Sequence, residues 1–69
     1  MRIRVSDPAS LDDLAADLRE CGCIADPLGP AELEVFLTTA DERAERMEVR
    51  FYVNTWSIEH PGVNAEVVD

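Results

Sequence analysis

A chain of 69 residues has room for one domain, residues 1–69. A domain this small buries only about 60% of the surface that its unfolded form exposes. Six Arg and no Lys face fifteen Asp and Glu, a net charge of −9. Residues 1–37 hold three Arg and eight acids (−5), and residues 38–69 hold three Arg and seven acids (−4). Acidity spread over both halves excludes the clustered basic groups that nucleic acid or an anionic membrane surface requires.

The apolar fraction of 46% suits a globular domain. The apolar runs are far shorter than the roughly 20 residues of a transmembrane helix. The chain opens on a strand-like segment with no pattern of a signal peptide. Two cysteines are too few for a disulfide scaffold, so a reducing, cytoplasmic setting is expected.

Arg2-Ile3-Arg4-Val5 alternates with period two and predicts a first strand, with Ile3 and Val5 facing the core. Asp7 or Ser10 caps the helix that follows, and Pro8 fits a first helical position. Leu11, Leu14, Ala15 and Leu18 form its apolar stripe, and Gly22 stands where a helix C′ residue belongs. Cys23–Asp26 predicts a short second strand, ended by the turn residues Pro27, Gly29 and Pro30. In the third strand, Ala31 to Leu37, Leu33, Val35 and Leu37 point one way and Glu32, Glu34 and Phe36 the other. Thr39 and Glu42 match a capping box. The second helix then runs to about Glu59 and stops before His60-Pro61-Gly62. Val63–Val68 completes the set, with Val63, Ala65 and Val67 inward.

Two nested right-handed β-α-β crossovers fit this order. They predict an α+β open sandwich with an antiparallel sheet of order 4-1-3-2 and both helices on one face. Arg2 and Arg4 would then lie on the open face between Glu32/Glu34 and Glu66, a cross-strand charge ladder that supports the order. The element order and length resemble the small ferredoxin-like modules, of which the ACT-type regulatory domains are one group. That resemblance covers the whole chain and is topological. It implies the β-α-β-β-α-β open sandwich and assigns no functional residue.

The second helix carries two apolar stripes. Ala40, Ala44, Met47, Phe51 and Ile58 fall within about 60° of one another and are read as the core stripe. Val49, Tyr52, Val53 and Trp56 lie roughly opposite and are read as a partner or oligomer interface, since Trp and Tyr are enriched at binding hot spots. The alternatives are that this second stripe is itself the core, that the helix kinks or ends early, or that the stripe lines a small-ligand pocket.

Other chemistry is weakly signalled. Cys21-Gly22-Cys23 lacks the spacing and the extra ligands of a zinc site and reads as packing at a helix–strand junction. His60 reads as a helix C-terminal residue favoured by the dipole. Asp12-Asp13 and Asp41-Glu42 are first-turn acids that do not face each other. Pro27–Pro30 is no phosphate loop, and no Ser or Thr has a nucleophile context. No catalytic, cofactor or metal residues are expected. The expected function is a non-catalytic binding or assembly module, self-associating as a homodimer or docking on a protein partner. One alternative is an acidic inhibitor or decoy for a basic site on another protein. Another is a small enzyme or ligand-sensing domain using Arg2, Arg4, Glu34 and Glu66 on the open sheet face.

Overall fold

The computed structural model describes residues 1–38 and 41–68. Its elements are β1 (Arg2–Val5), a 3-10 turn (Pro8–Ser10), α1 (Leu11–Glu20), β2 (Ile24–Gly29), β3 (Glu32–Phe36), α2 (Glu42–Glu59) and β4 (Ala65–Val67). The chain is α+β. Its four strands form one antiparallel open sheet of order β2-β3-β1-β4, which is the expected sheet read from its other edge.

The period-two pattern of the strands sets what is covered. Ile3, Val5, Ala25, Leu33 and Val35 are buried and join Leu14, Leu18, Val49, Val53 and Trp56 in one core cluster. Both helices therefore cover the same sheet face. Ala31, Val63, Ala65 and Val67 are half-buried against that core. The other sheet face stays open. On it Arg2 pairs with Glu34, and Arg4 lies between Glu32 and Glu66, as the charge ladder requires. Arg4 reaches Glu32 at 3.4 Å.

Of the two alternative caps expected for the first helix, only Asp7 uses its side chain to cap backbone. Asp7 caps the 3-10 turn, with Oδ1 accepting from the Ala9 amide at 3.1 Å. Ser10 occupies the N-cap position of α1 but turns its hydroxyl to Asp7 Oδ2. α1 ends in a Schellman motif: Cys23 N–H donates to Leu18 O and Gly22 N–H to Arg19 O. The motif needs a left-handed residue at its bend, and Gly22 supplies it with φ +92°.

β3 (Glu32–Phe36) and β4 (Ala65–Val67) are shorter than expected from the sequence, and two further boundaries differ in ways that bear on the fold. β2 does not stop at Asp26 but continues through Pro27 to Gly29, with a register shift between Pro27 and Gly29. β2 is an edge strand, where a residue without an N–H is tolerated. The start of α2 also differs. Thr39 lies outside the described residues, and the cap is Asp41, whose Oδ1 accepts from the Ala44 amide at 2.8 Å. Glu45, one turn in, takes the Leu37 amide at 2.8 Å and ties α2 to the end of β3.

The main correction concerns which side of α2 is buried. Val49, Val53 and Trp56, expected to meet a partner, are in the chain's own core, and Tyr52 is half-buried beside them. Met47, Phe51 and Ile58, expected in the core, are 68%, 65% and 80% exposed. Ala44 is half-buried, and Ala40 lies outside the described residues. Rotation of α2 is fixed by its polar ends as well as by its apolar stripes. Glu45 and His60 share the Trp56 side, and their hydrogen bonds to Leu37 and to α1 form only with that side inward.

Candidate functional site

The outward side of α2 holds Met47, Phe51 and Ile58 in one stripe. A helix with a single core face would place polar residues there. Asn54 lies within the stripe between Phe51 and Ile58, Arg43 and Arg50 flank it on one side and Glu48 and Thr55 on the other, and all five are exposed. The Phe51 ring meets Tyr52 edge-on at 6.0 Å, so the aromatic surface continues round the helix toward α1. Thr55 Oγ donates to the Phe51 carbonyl at 3.0 Å. The stripe has no charged group within it. What such a surface can offer is exclusion of water, not acid–base or metal chemistry.

The sequence reading found the two stripes and reversed them. The signal that could have separated them lies in the polar residues on the same arcs as each stripe. Glu45 and His60 belong to the Trp56 arc and have partners elsewhere in the fold. Among the described residues, the Phe51 arc shows no such tether.

A second cluster forms where α1 meets the end of α2. Asp13 Oδ2 lies 2.7 Å from His60 Nε2, and His60 Nδ1 lies 2.8 Å from the Trp56 carbonyl. The imidazole stacks on the Trp56 indole, centroids 4.1 Å apart. A carboxylate and a carbonyl both accept, so both contacts are hydrogen bonds only when both ring nitrogens donate, as in the imidazolium form. The carbonyl hydrogen bond raises the His60 pKa above 6.5. Partial burial opposes this, and the bond to Asp13 and its charge add to the rise. A ring held between two acceptors has no free lone pair to act as a base or metal ligand. The cluster is a clamp between helices, which extends the expected helix-end role of His60.

The cysteines sit at the α1–β2 junction. Cys23 is buried and Cys21 half-buried, and both thiols are free. Desolvation, then the carboxylates of Asp17 and Glu20, raise the Cys21 pKa. Desolvation, then Cys21, Glu48 and Glu45, raise that of Cys23. A reactive thiol needs the opposite environment. Among the described residues no group of three or more His, Cys, Asp or Glu is placed to hold a metal ion. Among the described residues no helix is long and apolar enough to cross a membrane.

The open sheet face brings Arg2, Arg4, Glu32, Glu34 and Glu66 together, as expected, and adds Asp26 opposite Glu34. At its β2 end Ile24 pairs with Phe36, both exposed. The arginines face carboxylates across the ladder, which is structural pairing. No family model matches the chain, and no curated protein or solved structure matches it either.

Proposed function

We propose that this chain is a non-catalytic docking module of ferredoxin-like type, whose contact surface is the outward face of α2 centred on Phe51. One observation carries the reading: three large apolar side chains stand exposed in a row on a helix whose other side already fills the core. Single exposed apolar residues are ordinary, but a contiguous stripe of them marks an interaction surface. The nested crossovers and the antiparallel sheet support the ferredoxin-like assignment. Two free thiols and no disulfide among the described residues support a reducing, cytoplasmic setting.

The test is a photo-crosslinking aromatic amino acid in place of Phe51, activated in the cells that make the protein. Covalent protein adducts at this position, absent when the probe replaces Asp12 on the wet side of α1, are the expected result. No adduct at position 51 would sink the reading. A second reading, the acidic decoy, draws on Asp26 facing Glu34 across the ladder. Like charges there cost stability and leave local negative potential on the open face. Capture of a basic protein that salt abolishes and Asp26→Asn weakens would favour it.

A further inference from the structure

Resting on the docking reading, we infer that the occupant of this face is a second copy of the same chain, paired helix to helix in parallel about a two-fold axis. The spacing of the exposed side points to this. Ala44, Met47, Phe51, Asn54 and Ile58 follow one another at intervals of three, four, three and four residues. That is the a/d seam of a heptad pattern, with Ala44, Phe51 and Ile58 at a and with Met47 and Asn54 at d. Of these only Ala44 is half-buried. The others are exposed, so the seam lies outside the domain's own core.

The charges beside the seam choose the orientation. Arg43 and Arg50 occupy g positions and Glu48 an e position. In a parallel two-fold pair each g residue faces the following e residue of the other chain, so Arg43 meets Glu48 of the second copy, twice by symmetry. In an antiparallel two-fold pair g faces g, and the Arg43/Arg50 flanks would oppose each other. Asn54 points the same way. Parallel and in register, the two Asn54 side chains stand at one height, where each amide can donate to the other. Antiparallel, Asn54 is set against the apolar part of the partner seam. One polar residue in an apolar seam is a known device for fixing register.

The seam is short, about four turns of helix. A weak, concentration-dependent dimer follows, and not an obligate one. The core of each copy is complete without its partner.

The experiment is light scattering coupled to sedimentation across a wide concentration range, on the full chain. Wild type is expected to pass from monomer to dimer. Phe51→Asp is expected to remain a folded monomer, since the side chain is exposed. Arg43→Glu and Glu48→Arg are each expected to weaken the dimer on the order of tenfold, because each reversal turns two symmetry-related attractions into repulsions. The double reversal, R43E with E48R, is expected to return the affinity to within about twofold of wild type, since the pair is recreated in swapped form. A wild type that stays monomeric to millimolar concentration overturns the inference. So do single reversals whose losses add in the double variant, which would mean that the two residues do not meet. Crosslinking through position 51 separates the two levels. Adducts with other proteins but never with a second copy overturn the homodimer and leave the docking face standing. No adducts remove both.

Discussion

Val49, Val53 and Trp56 lie against the sheet, while Met47, Phe51 and Ile58, half a turn round the same helix, stand in solvent. The two sides of α2 are matched in apolar content, so transfer free energy alone does not choose between them. The sheet receives the side with the largest side chain and with two small β-branched ones, and Trp56 is only 1% exposed. The same arc carries Glu45 and His60, each with a partner outside the helix. Rotating α2 to bury Phe51 would break both links and leave Glu45 and His60 in solvent. The lesson is that a helix with two apolar faces is oriented by its few tethered polar groups.

The difference between the faces is sharpest in their response to truncation. Trp56→Ala is expected to cost about 3–5 kcal/mol, read by chemical denaturation, which is a large part of what a domain of this size possesses. Trp56 Nε1 is buried with no hydrogen-bond partner among the described residues. Trp56→Phe, which removes that N–H, is therefore expected to cost less than area alone implies. Val53→Glu places a charge in the core and is expected to unfold the chain rather than release a partner. Phe51→Ala is expected to shift monomer stability by no more than about 0.5 kcal/mol. A Phe51→Ala loss as large as that of Trp56→Ala would mean that the faces are assigned the wrong way round.

The tethers come next in size. Asp41→Ala removes the side-chain cap of α2 and is expected to cost about 1 kcal/mol, with Asp41→Asn restoring most of it. The His60 clamp is expected to give stability a pH slope. Its folded pKa is raised above 6.5. Its contribution is therefore complete below pH 6.5 and is lost as pH rises through the folded value. Denaturation midpoints measured from mildly acidic to mildly alkaline pH should fall across that window in wild type. They should run flat there in His60→Gln. A midpoint that rises with pH through the same window would contradict the imidazolium assignment. The smallest effect belongs to the sheet face, where the exposed Arg4–Glu32 pair is expected to contribute about 0–1 kcal/mol in a double-mutant cycle.

Much of this architecture was legible in the residues. Ile3 and Val5 alternate with Arg2 and Arg4, and Leu33 and Val35 with Glu32 and Glu34. A period of two with charges on one side fixes which face of a strand is covered. Gly22 marked its bend because few other residues adopt the conformation a Schellman motif requires. β2 was read too short because Pro27 is a strong local breaker, and only its edge position makes it tolerable. The cap of α2 was displaced by two residues because Thr39 and Asp41 are both good caps. The buried side of α2 was not legible from periodicity, which locates stripes but does not rank two of similar strength. That ranking depends on Leu37 and Asp13, which are distant in sequence and near in the fold. The excess of apolar surface on α2 was thus legible, and which of its sides is exposed was read the wrong way round.

The irregular edge at Pro27 bears on how this protein behaves when crowded. An open antiparallel sheet has two free margins, and head-to-tail joining of one margin to the opposite margin of the next molecule has no natural end point. Such growth makes filaments. Here one margin is interrupted by a residue without an N–H and by the shift between Pro27 and Gly29. The other is a strand of three residues, Ala65–Val67. Neither presents the long, flat, regular row of donors and acceptors that templated polymerisation uses. Fibre growth through the sheet is therefore expected to be disfavoured even at high concentration of this chain.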